Sequence, residues 1–167
     1  KQQIMQSISA QHEAIGGVII NGDNFQGLSI ISALESESID IIYIDPPYNT
    51  SASEILYKNS YKHSSWMSML SDRVSKGRSL LNNKGNICIT IDDAEFTHLS
   101  LLMDNIFGYT NFEGIVPIRI NPSGRPTEKG FALTHEYAIF YGHSQSSGIS
   151  KIPRTDEQIK RFKEFDG

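Results

Sequence analysis

The chain is poor in cysteine, in paired histidines and in long apolar runs, and each shortage removes a class of protein. Cys88 is the single cysteine among 167 residues, so no disulfide can close within the chain. That fits a reducing cytoplasm better than a secreted, disulfide-stapled domain. Cys88 lies in the strand-like run Gly85-Asn86-Ile87-Cys88-Ile89-Thr90-Ile91 and reads as a small core residue. No apolar stretch approaches the roughly 20 residues of a membrane span, and Lys1-Gln2-Gln3-Ile4-Met5 has no signal-peptide pattern. The five histidines, at 12, 63, 98, 135 and 143, form no H-x-x-x-H or Cys/His pair, so no metal site is expected. A start on Lys1 rather than methionine points to a fragment.

What remains is the composition of one soluble globular domain, 38% apolar and 20% charged. The net charge of −4 is unevenly spread: residues 1–114 hold 7 Lys/Arg against 13 Asp/Glu, and residues 115–167 hold 8 against 6. The C-terminal basic side chains, Arg119, Arg125, Lys129, Lys151, Arg154, Lys160, Arg161 and Lys163, lend weak support to phosphate contact.

The pattern along the chain is one of strand–helix units. Gly17-Val18-Ile19-Ile20 reads as a short buried strand. A helix capped by Asp23, with Gln26 at the capping-box position, carries Phe25, Leu28, Ile31 and Leu34. A strand over 39–44 follows, then a polar loop over 49–63 and a helix from about 65 to 82 that Asn83-Lys84-Gly85 should close. A strand over 86–91 leads through Asp92 and Glu95, a second capping pair, into a helix over 94–107. Such units predict a mostly parallel sheet with helices on both faces. The strands 112–120 and 136–141 have no apolar helix between them and should form an antiparallel pair at the sheet edge. A linker-like stretch after Gly142 precedes a short charged helix capped by Thr155 with Gln158.

The most informative residues are Asp45-Pro46-Pro47-Tyr48, at the C-terminal end of the 39–44 strand. In open α/β sheets, ligands bind beyond the strand ends. The two prolines end the strand in a rigid turn whose carbonyls point outward. A planar base with an exocyclic amine suits it: the Asp45 carboxylate and the Pro46 carbonyl accept two N–H bonds, and the Tyr48 ring stacks on the base. This arrangement resembles motif IV of the DNA amino-methyltransferases.

The resemblance extends along the chain. Asn21-Gly22-Asp23-Asn24, Tyr43-Ile44-Asp45-Pro46-Pro47-Tyr48-Asn49-Thr50, Ser64-Ser65-Trp66, Ile91-Asp92-Asp93, Asn121-Pro122-Ser123-Gly124-Arg125 and Thr134-His135-Glu136-Tyr137 are similar, in order, to blocks of the β-class adenine methyltransferases. They most resemble the modification subunits of type III restriction–modification systems. The resemblance implies a class I, Rossmann-like methyltransferase fold, incomplete in this chain. It implies an N-terminal arm (1–16), a catalytic domain (17–143) and a linker that opens a recognition region (144–167). It also implies S-adenosylmethionine as methyl donor, double-stranded DNA as substrate, and a restriction subunit or a second copy as partner. One block is missing: the family's Phe-x-Gly-x-Gly turn, whose glycines let the backbone approach the cofactor, does not occur here. The chain would keep the target-base half of the site, and in isolation should be inactive.

On this resemblance Asp45, Pro46, Pro47 and Tyr48 are the catalytic set, and Asp23 and Asp45 are the candidates for cofactor contact. Asp23 serves equally well as a helix cap. Tyr57 and Tyr61 are candidate groove-lining aromatics, and Arg125 and Lys129 candidate phosphate contacts. Trp66 reads first as core, Asp92 and Asp93 as caps, and His135 as structural. Aspartate at the first motif position favours adenine N6 over cytosine N4, where serine is commoner, and over glutamine N5, where asparagine is expected. A non-catalytic DNA-binding scaffold is the alternative from another class.

Overall fold

The computed structural model describes residues 16–50, 61–120, 124 and 131–163, with side chains described through residue 160. Helix α1 (Asn24–Ile31) starts at Asp23, whose Oδ1 accepts the Gln26 N–H at 3.1 Å, the expected cap. Strand β1 (Ile39–Ile44) leads into the Asp-Pro-Pro-Tyr turn, and α2 (His63–Leu80) connects it to β2 (Leu81–Ile91). Then follow α3 (Phe96–Phe107), a short 3₁₀ turn, β3 (Phe112–Arg119), β4 (His135–Gly142) and α4 (Asp156–Lys163). The sheet order is β1-β2-β4-β3. β1 and β2 run parallel, whereas β4 is antiparallel to both β2 and β3. The described sheet is thus mixed rather than mostly parallel, with one parallel and two antiparallel pairings, and the antiparallel pair β3–β4 lies at its edge.

The core lies between one face of the sheet and helices α2 and α3. Trp66, Leu70 and Val74 of α2 and Leu99, Leu102, Met103 and Phe107 of α3 recur every three or four residues, the spacing of one helical face. They meet Ile87, Ile89 and Ile91, which alternate along β2, and Ile139 and Tyr141 of β4. Each such aliphatic side chain contributes about 1.5–3 kcal/mol on burial. Helix α1 packs against α2.

Four expectations need correction. Gly17–Ile20 forms no strand: Val18 is 59% and Ile19 98% exposed, because no neighbouring strand among the described residues offers these residues a ladder. Helix α2 ends at Leu80, and Leu81 already has extended geometry (ψ 134°). Gly85 is therefore not its cap. It sits inside β2, where a Cβ would stand 2.8 Å from the Ile39 carbonyl oxygen, so its role is close backbone approach at an irregularity in the β1–β2 ladder. Asp92 does not pair with Glu95 as a capping box. Its Oδ1 accepts the Ala94 N–H at 3.0 Å in a turn, and α3 begins two residues later than expected. Finally, the described helices α2 and α3 cover one face of the sheet. On the opposite face of β1, Ile41 and Tyr43 are 70% and 64% exposed.

Candidate active site

Each residue of the turn after β1 is tied to a different part of the fold. Asp45 is exposed, but its Oδ1 accepts the Thr90 hydroxyl at 2.9 Å. The parallel register that pairs Ile44 with Ile89 sets Thr90 beside Asp45. Thr90 is 2% exposed, so this contact fixes one carboxylate oxygen from within the sheet. Pro46 is buried. The Pro47 carbonyl accepts the Trp66 indole N–H at 2.7 Å. Trp66 is thus the core residue expected, wholly buried, and also an anchor for the turn. The Tyr48 hydroxyl donates to Glu136 Oε2 at 3.1 Å, with the ring partly buried against the core. Burial raises the Tyr48 hydroxyl above its ordinary pKa of 10.0, and the nearby Asp45 and Glu136 carboxylates add to this, so it stays neutral.

Asn49 has a left-handed backbone (φ 60°), a conformation that asparagine tolerates better than most residues. Its side chain clamps both backbone groups of Tyr61: Oδ1 accepts the N–H at 2.7 Å and Nδ2 donates to the carbonyl at 2.9 Å. Tyr61, expected as an exposed groove aromatic, is instead half-buried against the core. Tyr57, Arg125 and Lys129 lie outside the described residues.

A cleft of about 550 Å³ opens between α1, β1 and α2. Leu28, Ile31 and Ile42 give it an apolar wall, and Asn24, Asp45, Pro46 and Arg73 also line it. Asp23 adjoins Asn24, and its Oδ2 lies 3.8 Å from Arg73 Nη2. The carboxylate expected at a cofactor therefore caps α1 and pairs with a cleft residue at once. The cleft shares Asp45, Pro46 and Pro47 with the turn.

A family model described as DNA methylase matches residues 39–164. This chain belongs to that family. The chain is 38% identical over 141 residues to the type II methyltransferase M.KpnI of Klebsiella pneumoniae, covering 79% of this chain and 34% of that protein. It is 32% identical over 158 residues to the Mod subunit of the type III restriction-modification enzyme EcoPI of Escherichia phage P1, covering 77% of this chain and 24% of that protein. The chain thus spans about a third or less of the length of these two relatives. Among solved structures, it resembles an M1.HpyAVI–SAM complex with a TM-score of 0.53 at 15% identity, covering 82% of this chain and 60% of that one. The PvuII DNA methyltransferase (cytosine-N4-specific) gives a TM-score of 0.54 at 14% identity, covering 75% and 49%. The shared fold is the Rossmann-like methyltransferase fold expected from the motif order.

Several residues of the candidate site carry no local sequence signal. Thr90 and Glu136 reach the turn only through strand register, and Glu95 was read as a cap. Glu95 is 0% exposed and turns inward, where Oε1 receives Asn49 Nδ2 at 2.6 Å and lies 2.8 Å from His63 Nδ1. His98 Nδ1 stands 2.9 Å from Oε2 without the alignment of a hydrogen bond. Sequence spacing predicted no metal site, yet the ligand atoms of His63, Glu95 and His98 lie within 4.8 Å of one another. The two histidines come from different helices, so no H-x-x-x-H spacing could reveal them. His135 starts β4 and lies 3.0 Å from the Tyr137 hydroxyl, which donates to Asp93 at 2.8 Å.

Proposed function

We propose that this chain is the target-base part of a DNA methyltransferase that moves a methyl group from S-adenosylmethionine to adenine N6. The observation that carries this reading is the Asp45 side chain, exposed at a strand end, with one oxygen held by Thr90 and the other left to face a substrate amine. That carboxylate and the Pro46 carbonyl would each accept one amine N–H. The nitrogen lone pair, otherwise delocalised into the base ring, is thereby localised and aimed for in-line attack. Positioning and electrostatics supply most of the rate. The neighbouring carbonyl, on Pro47, is taken by Trp66, which leaves Pro46 as the acceptor. The base must be flipped from the duplex, and the Tyr48 ring would replace its lost stacking. After transfer, Asp45 is placed to ease proton loss from the amine.

The residues present fit part of the cofactor. The apolar wall of the cleft suits an adenine ring, Asp23 and Asp45 suit hydroxyl or amino groups, and the volume lies within the usual range for ligand pockets. The Phe-x-Gly-x-Gly turn that would cradle the methionine moiety is absent from this sequence. S-adenosylmethionine, when bound, supplies a sulfonium methyl already activated for displacement.

The same reading makes residues 17–143 the catalytic domain, residues 1–16 an arm and residues 144–167 the entry to a recognition region. Arg125, Lys129 and Tyr57 become DNA contacts. A restriction subunit or a second copy becomes the partner, and the cytoplasm the location. No described helix is long and apolar enough to cross a membrane. Methylation of cytosine N4 would use the same two acceptors, and Asp45 at the first motif position is what favours adenine. Incubating duplex DNA and labelled S-adenosylmethionine with a full-length protein that carries this chain together with a Phe-x-Gly-x-Gly turn, then identifying the modified nucleoside by mass spectrometry, decides between them. N4-methylcytosine would overturn the adenine assignment, and no transfer at all would favour the scaffold reading.

A further inference from the structure

A polar cluster beside the turn surrounds Glu95. A wholly buried carboxylate needs donors or cations about it to remain charged. Here Asn49 on the turn and His63 at the start of α2 both meet Oε1, while His98 in the first turn of α3 lies 2.9 Å from Oε2. The two imidazoles also stack on one another, with ring centroids 4.4 Å apart. The 2.8 Å separation of His63 Nδ1 from Oε1 is a hydrogen-bond length, and Oε1 also holds the Asn49 amide at 2.6 Å, so this oxygen is engaged by hydrogen bonds from two sides.

We propose that Glu95 is a positioning residue for methyl transfer. Braced by His63 and His98, it holds Asn49 in its left-handed conformation, and Asn49 in turn fixes the exit of the Asp-Pro-Pro-Tyr turn. Asn49 is the residue directly after Tyr48, so its Nδ2 bond to Glu95 and its clamp on Tyr61 determine where the chain goes once it has presented the stacking ring. Thr90, Trp66 and Glu136 anchor Asp45, Pro47 and Tyr48. Glu95 completes the set through Asn49. This inference rests on the methyl-transfer reading, because the geometry being held is that of the proposed base site.

The test uses two variants of the whole protein. Glu95→Gln keeps shape but replaces one acceptor oxygen with an N–H2 group facing donors. Asn49→Gly removes the clamp while accepting the positive φ without strain. Each should lower kcat for DNA methylation at least fivefold, with KM for S-adenosylmethionine unchanged. The double variant should fall no further than the weaker single one, since both changes cut the same chain of contacts. Hydrogen exchange of the Tyr61 amide should speed up at least tenfold in both variants, and this readout needs no activity. Wild-type kcat together with unchanged Tyr61 exchange, or strictly multiplicative losses in the double variant, overturns the inference and leaves the methyltransferase reading intact. A wild-type protein that transfers no methyl overturns that reading, while the exchange measurement still judges the clamp. Activity lost on chelation and restored by Zn²⁺ would make the cluster a metal centre and overturn the inference as well.

Discussion

Tyr48 makes two kinds of contact, and substitution can separate them. The ring face is what the proposed mechanism uses, whereas the hydroxyl is bound to Glu136 at 3.1 Å. Stacking of a base on an aromatic side chain is worth about 1–3 kcal/mol by alanine substitution. At about 1.4 kcal/mol per tenfold, Tyr48→Ala should slow methylation by one to two orders of magnitude. Tyr48→Phe keeps the face and removes a hydrogen bond to a carboxylate, worth about 1.5–3 kcal/mol when fully buried. Glu136 is half-buried and can recover part of that from water, so about 1 kcal/mol of stability is the expected loss. For a protein of this size, that lowers Tm by about 2–4 °C. The Phe variant should therefore melt earlier yet keep its rate within about threefold, which corresponds to less than 0.7 kcal/mol in the barrier. Tritiated-methyl transfer on duplex DNA and a thermal melt measure the two quantities on the same samples. A Phe variant as slow as the Ala variant would show that the hydroxyl, not the ring face, carries the function.

Asp45→Ala should abolish methylation in the same tritiated-methyl assay; turnover near wild type removes Asp45 from the mechanism. Tyr141 is 1% exposed, and burial and its bond to Asp104 at 2.7 Å raise its hydroxyl above the ordinary 10.0. The folded state thus keeps this proton where the unfolded chain releases it, so stability should be level below pH 10 and decline as pH rises further. Melts across this range should show a shallower alkaline decline for Tyr141→Phe, and an unchanged slope refutes the linkage. Gly85→Ala should cost about 1–3 kcal/mol in urea unfolding, the usual range for overpacking, because its Cβ would meet the Ile39 carbonyl.

The legible parts of this molecule were those encoded locally. The Asp-Pro-Pro-Tyr turn, the capping pairs at Asp23 with Gln26 and at Thr155 with Gln158, and the antiparallel edge pair all depend on residues close in sequence. The anchors of the turn do not. Thr90 and Asp45 are 45 positions apart, and Tyr48 and Glu136 are 88 apart. Only the finished sheet register brings them together. Glu95 misled for a related reason: its spacing from Asp92 fits a capping box, but the buried Asn49 and histidine donors outcompete the helix start for its carboxylate. Gly85 misled because a glycine after an apolar helix usually stops it, whereas here it admits a neighbouring backbone.

The double clamp between Asn49 and Tyr61 also ties the motif to a helix. Its two bonds, 2.7 and 2.9 Å long, act as a staple between the end of the Asp-Pro-Pro-Tyr turn and the residues that enter α2. Tyr61 lies two positions before the first residue of α2, and Asn49 directly follows Tyr48. A small shift of the start of α2 would therefore be passed on to the stacking ring, so the packing of that helix sets how firmly the motif is held.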